Sequence, residues 1–383
     1  MGKLANFLLV ILAILVIAGA GVFVYEYINR VDSNKTNEIV DVDTNIDEEE
    51  VPVVVPEKEV QIFKGTDRPI AVMIDNHSGA WPQANLNKAY LVYEIVVEGG
   101  ETRLMALFKG QDLEKIGPVR SSRHYFLDYA LENDAIYVHH GWSPQAQSDI
   151  SKLKVNNING IQESSNDFWR VKDKSAPHNM FTTTESILKI ALRKGYETKS
   201  NKESILNYVA DEFDLTDKYQ IKIETDEAEE IQTNDEIEEI TKDEDGIKTN
   251  ALVAKNVTIP HSKLQTVKYE YDEETKTYTR YARKRIQTDY ITGDPVTTKN
   301  IIITMCDNYT LTDSENKGRQ GLKNIGTFDG YYITNGIAIP IICTKTARDK
   351  QTVYKDLDGN EIQVNDGNTF INICPTDAEI VIE

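Results

Sequence analysis

Pro69-Ile70-Ala71-Val72-Met73-Ile74-Asp75-Asn76 decides the fold class of this chain. Six apolar or ring residues run without a polar interruption and stop at an acid and an amide. A half-exposed strand alternates apolar and polar residues. A run apolar at every position belongs to a strand covered on both faces. Three more runs share this texture: Tyr90-Leu91-Val92-Tyr93-Glu94-Ile95-Val96-Val97, Leu104-Met105-Ala106-Leu107-Phe108 and Ala135-Ile136-Tyr137-Val138-His139. Helix-like stretches separate them. Ser121 or Ser122 is placed to cap a helix presenting Tyr125, Phe126, Tyr129 and Ala130 on one face. Further helices fit Ser143 to Leu153 and the segment opened by Thr182-Thr183-Thr184-Glu185. Alternating strands and helices predict an α/β domain with a mixed sheet over residues 62–215.

Beyond an acidic stretch the texture changes. Tyr269-Glu270-Tyr271 and Tyr278-Thr279-Arg280-Tyr281 flank a polar turn. Asn335-Gly336 separates two β-rich runs, and Asp358-Gly359 precedes another. Such dipeptides mark hairpins, so residues 251–383 are expected to form a mostly antiparallel β domain.

Working outward, Leu4 to Tyr25 is a 22-residue stretch whose single polar member is Asn6. As a helix it spans about 33 Å, enough for a bilayer core. It is read as a single transmembrane anchor within residues 1–31. Ala18-Gly19-Ala20 also offers a small-residue pattern for cleavage, but the apolar run continues past it. Lys3 precedes the span, and the positive-inside bias puts the bulk of the chain outside the cytoplasm, on the cell membrane. Asp32 to Glu59 holds 10 acids and 2 lysines, and residues 32–61 read as an extended, disordered linker. Glu224 to Asp245 holds 12 acids and 1 lysine, and residues 216–250 read as an acidic interdomain loop. These two segments account for nearly all of the net charge of −20. The remainder is almost neutral, which excludes nucleic acid as the main partner. The cysteines, Cys306, Cys343 and Cys374, each sit in an apolar run and read as buried thiols, not a disulfide framework.

Several strings then combine. They are Arg68-Pro69-Ile70-Ala71-Val72-Met73-Ile74-Asp75-Asn76-His77, Glu98-Gly99-Gly100-Glu101-Thr102-Arg103 after Tyr93-Glu94, and Lys115-Ile116-Gly117-Pro118-Val119-Arg120-Ser121-Ser122-Arg123. Asp134-Ala135-Ile136-Tyr137, Ser143-Pro144-Gln145-Ala146 and Ala176-Pro177-His178-Asn179 follow. Together they resemble the YerB lipoprotein-like family, domain of unknown function 3048, well over Ile62 to Asn179 and more loosely in the tail. The resemblance implies a cell-envelope protein of Gram-positive type bacteria and carries no established activity. The chain departs from the lipoprotein pattern in having no cysteine near its N-terminus.

The chemistry-bearing residues cluster at predicted strand ends, where α/β folds place ligands. Arg120 and Arg123 beside a helix start suit a carboxylate or phosphate. Glu98, Glu101 and Arg103 lie in a loop whose paired glycines permit positive φ. The expected ligand-binding set is Asp75, Asn76, Glu98, Arg103, Arg120, Ser121, Arg123, His139, Trp169, His178 and Asn179. Glu98, Glu101, His139 and His178 are the candidates for acid–base work. Two readings stand: a non-catalytic binder of an anionic wall component or envelope partner, and a hydrolase or transferase acting on wall polymers. No motif calls for a cofactor, and no metal-ligand spacing joins Asp75, His77, His139 and His178.

Overall fold

The computed structural model describes residues 58–221, 248–312 and 315–383. The proposed anchor, most of the linker and the acidic run Glu224 to Asp245 lie outside the described residues. Among the described residues, no helix is long and apolar enough to cross a membrane.

The four apolar runs form four of the first five strands: β1 Ile70–Asp75, β2 Leu91–Val96, β3 Thr102–Phe108 and β4 Ile136–His139. β5 is Asn157–Asn159. In β1, Ala71 and Met73 join one buried cluster while Ile70, Val72 and Ile74 join another. Successive side chains point to opposite faces of a strand, so the unbroken apolar run reflects a core on each side of the sheet.

β1 is antiparallel to β3 and parallel to β4, which is parallel to β5. β2 returns on β3 as a hairpin. Gly99 and Gly100 sit at its tip with φ of 72° and 73°, the left-handed region their lack of a Cβ makes accessible. β2's outer edge pairs in parallel with Thr369–Cys374, which pairs in parallel with Asn300–Met305. Gly326–Thr334 and Ile337–Lys345 continue the sheet as an antiparallel hairpin across Asn335-Gly336. The result is a mixed sheet of 12 strands, and residues 57–383 form one compact unit. A second, six-stranded sheet includes the hairpin Thr266–Asp272 with Thr277–Ala282, in which Tyr271 faces Tyr278. The chain is thus mostly β, with short helices at Phe126–Glu132, Pro144–Lys152 and Thr184–Arg193. The last two are capped by Ser143 and Thr183, whose side chains accept from the N–H groups of Ala146 and Ser186.

The helix expected at Ser121 or Ser122 begins only at Phe126, without a side-chain cap. The preceding segment is extended instead. Arg120 donates its backbone N–H to Met73 O, and Ser122 donates to Gly141 O. Residues 118–122 therefore lie between the end of β1 and the 140–142 stretch. Gly117 makes the approach possible: a Cβ there would sit 2.7 Å from Met180 O.

A buried ion pair ties the two sheets. Glu94 of β2 pairs with Arg280, and both side chains are fully buried. Glu94 also accepts from Thr102 Oγ1 at 2.6 Å and Asn76 Nδ2 at 3.1 Å. Burial raises the Glu94 carboxyl pKa, but the Arg280 and His261 charges outweigh it and hold the group below the usual carboxylate range.

Candidate functional site: an arginine-lined cavity at the end of β1

Asp75 ends β1, and everything around it follows from that register. Its cross-strand partner on β3 is Arg103. On the other side the inserted 118–122 segment brings Arg120. Asp75 Oδ2 takes Nδ1 of His178 at 2.7 Å, and Oδ1 accepts the backbone N–H of His77 at 3.1 Å. Arg120 Nε also lies 3.1 Å from Asp75 Oδ2. That is a charge contact without hydrogen-bond alignment, because the same Nε has no hydrogen-bond partner. One carboxylate thus faces two guanidiniums and an imidazole.

These groups line a cavity of about 540 Å³ with His77, Glu98, Glu101, Ser121, Arg123, Trp142, Lys317 and Arg319. Arg103 is only 6% exposed. Among the described residues its side chain makes one hydrogen bond, from Nη1 to Ser121 O at 2.6 Å. Burial, reinforced by Arg123 and Arg120, lowers its pKa to about 9, so it remains charged at neutral pH. Arg123 is used differently. It grips Glu98 through Nε at 2.5 Å and Nη2 at 2.9 Å, and donates Nη1 to Ser122 O. Burial raises the Glu98 pKa, yet Arg123's hydrogen bond and charge hold it below the usual range. Glu101 pairs with Arg283. Both acid–base candidates on this loop are therefore engaged as anchors for arginines.

His178 is the exception. Its Nδ1 faces the Asp75 carboxylate and so carries a proton, and its Nε2 has no hydrogen-bond partner among the described residues. His77 accepts from Gly79 N–H through Nδ1 and stacks on His178 with centroids 4.3 Å apart.

The structure thus brings together Asp75, Glu98, Glu101, Arg103, Arg120, Ser121, Arg123 and His178. It places the other four elsewhere. Asn76 is fully buried, with its amide bound to Glu94, Thr102, Trp81 and Gln83; it supports the site from beneath. His139 Nδ1 lies 2.7 Å from Gly141 O and its Nε2 3.2 Å from Asn157 Oδ1. Burial lowers its pKa to about 4, so it is a neutral core histidine. Trp169 sits in a two-residue strand against Met180–Phe181, away from the cavity lining. Asn179 donates to Val171 O and Lys174 O and accepts from Arg170; it fixes the loop that carries His178. Trp142, Lys317 and Arg319 are lining residues that sequence reading does not single out. The last two reach the cavity from far along the chain, and their only sequence signal is a basic pair around Gly318.

A mixed sheet built from two sequence segments, with a cationic cavity where β1 ends, defines an α+β protein with no nucleotide-binding or metal-binding signature among its described residues. Residues 56–197 match the protein of unknown function (DUF3048) N-terminal domain, and residues 257–371 match the DUF3048 C-terminal domain. The chain is 31% identical over 316 residues to the putative lipoprotein YerB of Bacillus subtilis (strain 168), a match covering 80% of this chain and 81% of that protein. The crystal structure of YerB from Bacillus subtilis matches with a TM-score of 0.65 at 30% identity, covering 82% of this chain and 94% of that one. This chain belongs to the DUF3048 family.

Proposed function

We propose that this is a membrane-anchored, extracytoplasmic cell-envelope protein that binds an anionic ligand in the cavity at the end of β1. The apolar run Leu4 to Tyr25 and the acidic linker support the location, as does the lipoprotein description of the Bacillus subtilis relative. One observation carries the binding reading. Arg120 makes no side-chain hydrogen bond to any described residue, and the buried Arg103 makes only one, to a carbonyl. Guanidiniums held for structure use their forks, as Arg123 does on Glu98. The full chain should retain purified wall fractions or an envelope partner in a pull-down. Arg120→Gln should lose that retention while keeping its melting temperature. Equal retention by the variant would reject the cavity as the binding site.

The 2.7 Å contact between His178 and Asp75 favours a second reading, a hydrolase or transferase acting on wall polymers with His178 as general base. Release of soluble fragments from wall fractions, lost in His178→Gln, would support it. Identical release by the variant would reject it.

A further inference from the structure

We infer that the bond hydrolysed in this cavity is an acyl bond, an amide or an ester, and not a glycosidic or phosphodiester bond. This rests on the second reading above, in which His178 is a general base. The supply of proton-transfer groups gives the first reason. Cleaving a glycosidic bond takes two carboxyl groups, one of them holding a proton for the leaving oxygen. Three carboxyl side chains line the cavity, Asp75, Glu98 and Glu101, and each is already engaged. Asp75 takes His178 and faces Arg120, Glu98 is gripped by Nε and Nη2 of Arg123, and Glu101 holds Arg283. Arg123 also keeps Glu98 below the usual carboxylate range, the wrong direction for a general acid. Lys317 is held on Glu315 at 2.8 Å. In-line displacement at phosphorus puts the entering and leaving oxygens on opposite sides, so a base and an acid must face each other across it. Here His77 and His178 stack with their planes 11° apart and stand on the same side. Addition and elimination at an acyl carbon need only one side, because the group that takes the proton from the nucleophile returns it to the leaving atom.

The sign of the charge gives the second reason. A glycosidic transition state is oxocarbenium-like and gains positive charge, which Arg103 and Arg120 oppose. An attacked carbonyl gains negative charge on its oxygen. Arg103 is buried and fixed by its bond to Ser121 O, and Arg120 makes no side-chain hydrogen bond to a described residue. Both flank Asp75, the carboxylate that holds His178. Donors for an oxyanion thus stand beside an oriented base. The nucleophile is water: Ser121 Oγ is turned onto His140 O at 3.0 Å, and Ser143 Oγ caps its helix by accepting from Ala146 N–H. In the step, His178 Nε2 takes a proton from water while the water oxygen bonds to the acyl carbon. The carbonyl electron pair moves onto oxygen, where the guanidiniums meet it. Collapse restores the carbonyl, breaks the bond to the leaving nitrogen or oxygen, and passes the proton from Nε2 to that atom. The products are a carboxylic acid and an amine or an alcohol.

Walls purified from the source organism with their attached polymers, incubated with the full chain in nonionic detergent, test this through end groups. Amide cleavage exposes new amines, and ester cleavage removes hydroxylamine-reactive esters. Glycosidic cleavage makes new reducing ends, and phosphodiester cleavage makes new phosphomonoesters. New amines or lost esters are expected, and which of the two appears names the acyl bond. His178→Gln should abolish the change and Arg120→Gln should slow it about a hundredfold, both with an unchanged melting temperature. Arg103→Gln should match Arg120→Gln; if that buried substitution prevents folding, the Arg120 variant decides. New reducing ends or phosphomonoesters that vanish in His178→Gln would overturn the acyl assignment and leave the hydrolase reading standing. Acyl cleavage undiminished in Arg120→Gln would overturn the oxyanion role given to the guanidiniums. Acyl cleavage that persists in His178→Gln, or no new end group of any kind, would reject the hydrolase reading and this inference with it, leaving the binding reading untouched.

Discussion

Glu94 and Arg280 are fully buried and join β2 to the second sheet, so their pairing can be tested directly. Arg280 already has Nε and Nη1 without hydrogen-bond partners. Its charge is balanced by Glu94 and by the Phe370 ring, 5.6 Å from Cζ. Glu94→Gln keeps an acceptor for Thr102 and Asn76 but removes the countercharge. An uncompensated buried guanidinium costs about 3–5 kcal/mol. With a urea slope of about 3 kcal/mol/M, the midpoint should fall by roughly 1–1.7 M. Arg280→Met strands the Glu94 carboxylate and should cost a similar amount. The double variant Glu94→Gln/Arg280→Met removes both charges and keeps the Thr102 and Asn76 bonds. It should be more stable than either single variant, with a coupling energy of about 2 kcal/mol or more. Urea unfolding of the four proteins, followed by far-ultraviolet circular dichroism, measures the cycle. Single variants within 1 kcal/mol of the parent, or strict additivity in the double variant, would refute the claim that this pair joins the sheets.

Other expectations follow from the same structure. His139 titrates at about 4 because it is buried, below its unfolded value near 6.5. Its contribution is therefore fully present above pH 6.5 and is lost as pH falls toward 4, by up to about 3 kcal/mol; the lowered His261 and His124 act in the same direction. Asp128, raised to about 6 by burial despite Arg348, acts oppositely and adds stability as pH falls from 6 to 4. His139→Gln should flatten the acid limb of a stability–pH curve and Asp128→Asn should steepen it; unchanged slopes would show that neither group is buried as described. Gly330→Ala would put a Cβ 2.1 Å from Ile303 O in the middle of the large sheet, and thermal unfolding should register a loss of about 3 kcal/mol, against a neutral result if the strands simply separate. Cys306, Cys343 and Cys374 are all buried, with burial pushing each pKa up to about 12, so the native chain should resist a membrane-impermeant maleimide. Ser33→Cys in the acidic linker should label in intact cells; labelling only after lysis would reverse the proposed orientation.

Local patterns carried part of this architecture. Continuous apolar runs reported β1 to β4 because burial on two faces leaves no position for a polar residue. Asn335-Gly336 reported its hairpin because a tight turn requires positive φ, and Ser143 and Thr183 reported helix starts through their capping oxygens. Strand ends also named most of the residues that share the cavity, since Asp75, Arg103 and His178 flank elements whose limits are written locally. What local sequence cannot carry is the partner of an edge. The parallel pairing of β2 with Thr369–Cys374 is a choice among distant strands of similar composition, made by how two cores close together. Nor does sequence spacing separate Arg123, locked onto Glu98, from Arg120, whose fork faces the cavity; that depends on the 118–122 segment being drawn into the sheet as an extended strand instead of coiling into a helix. His139 and Asn76 show the same limit: their types suit a site, but the faces they occupy were decided by packing, which sealed one in the core and set the other beneath Asp75 as a support.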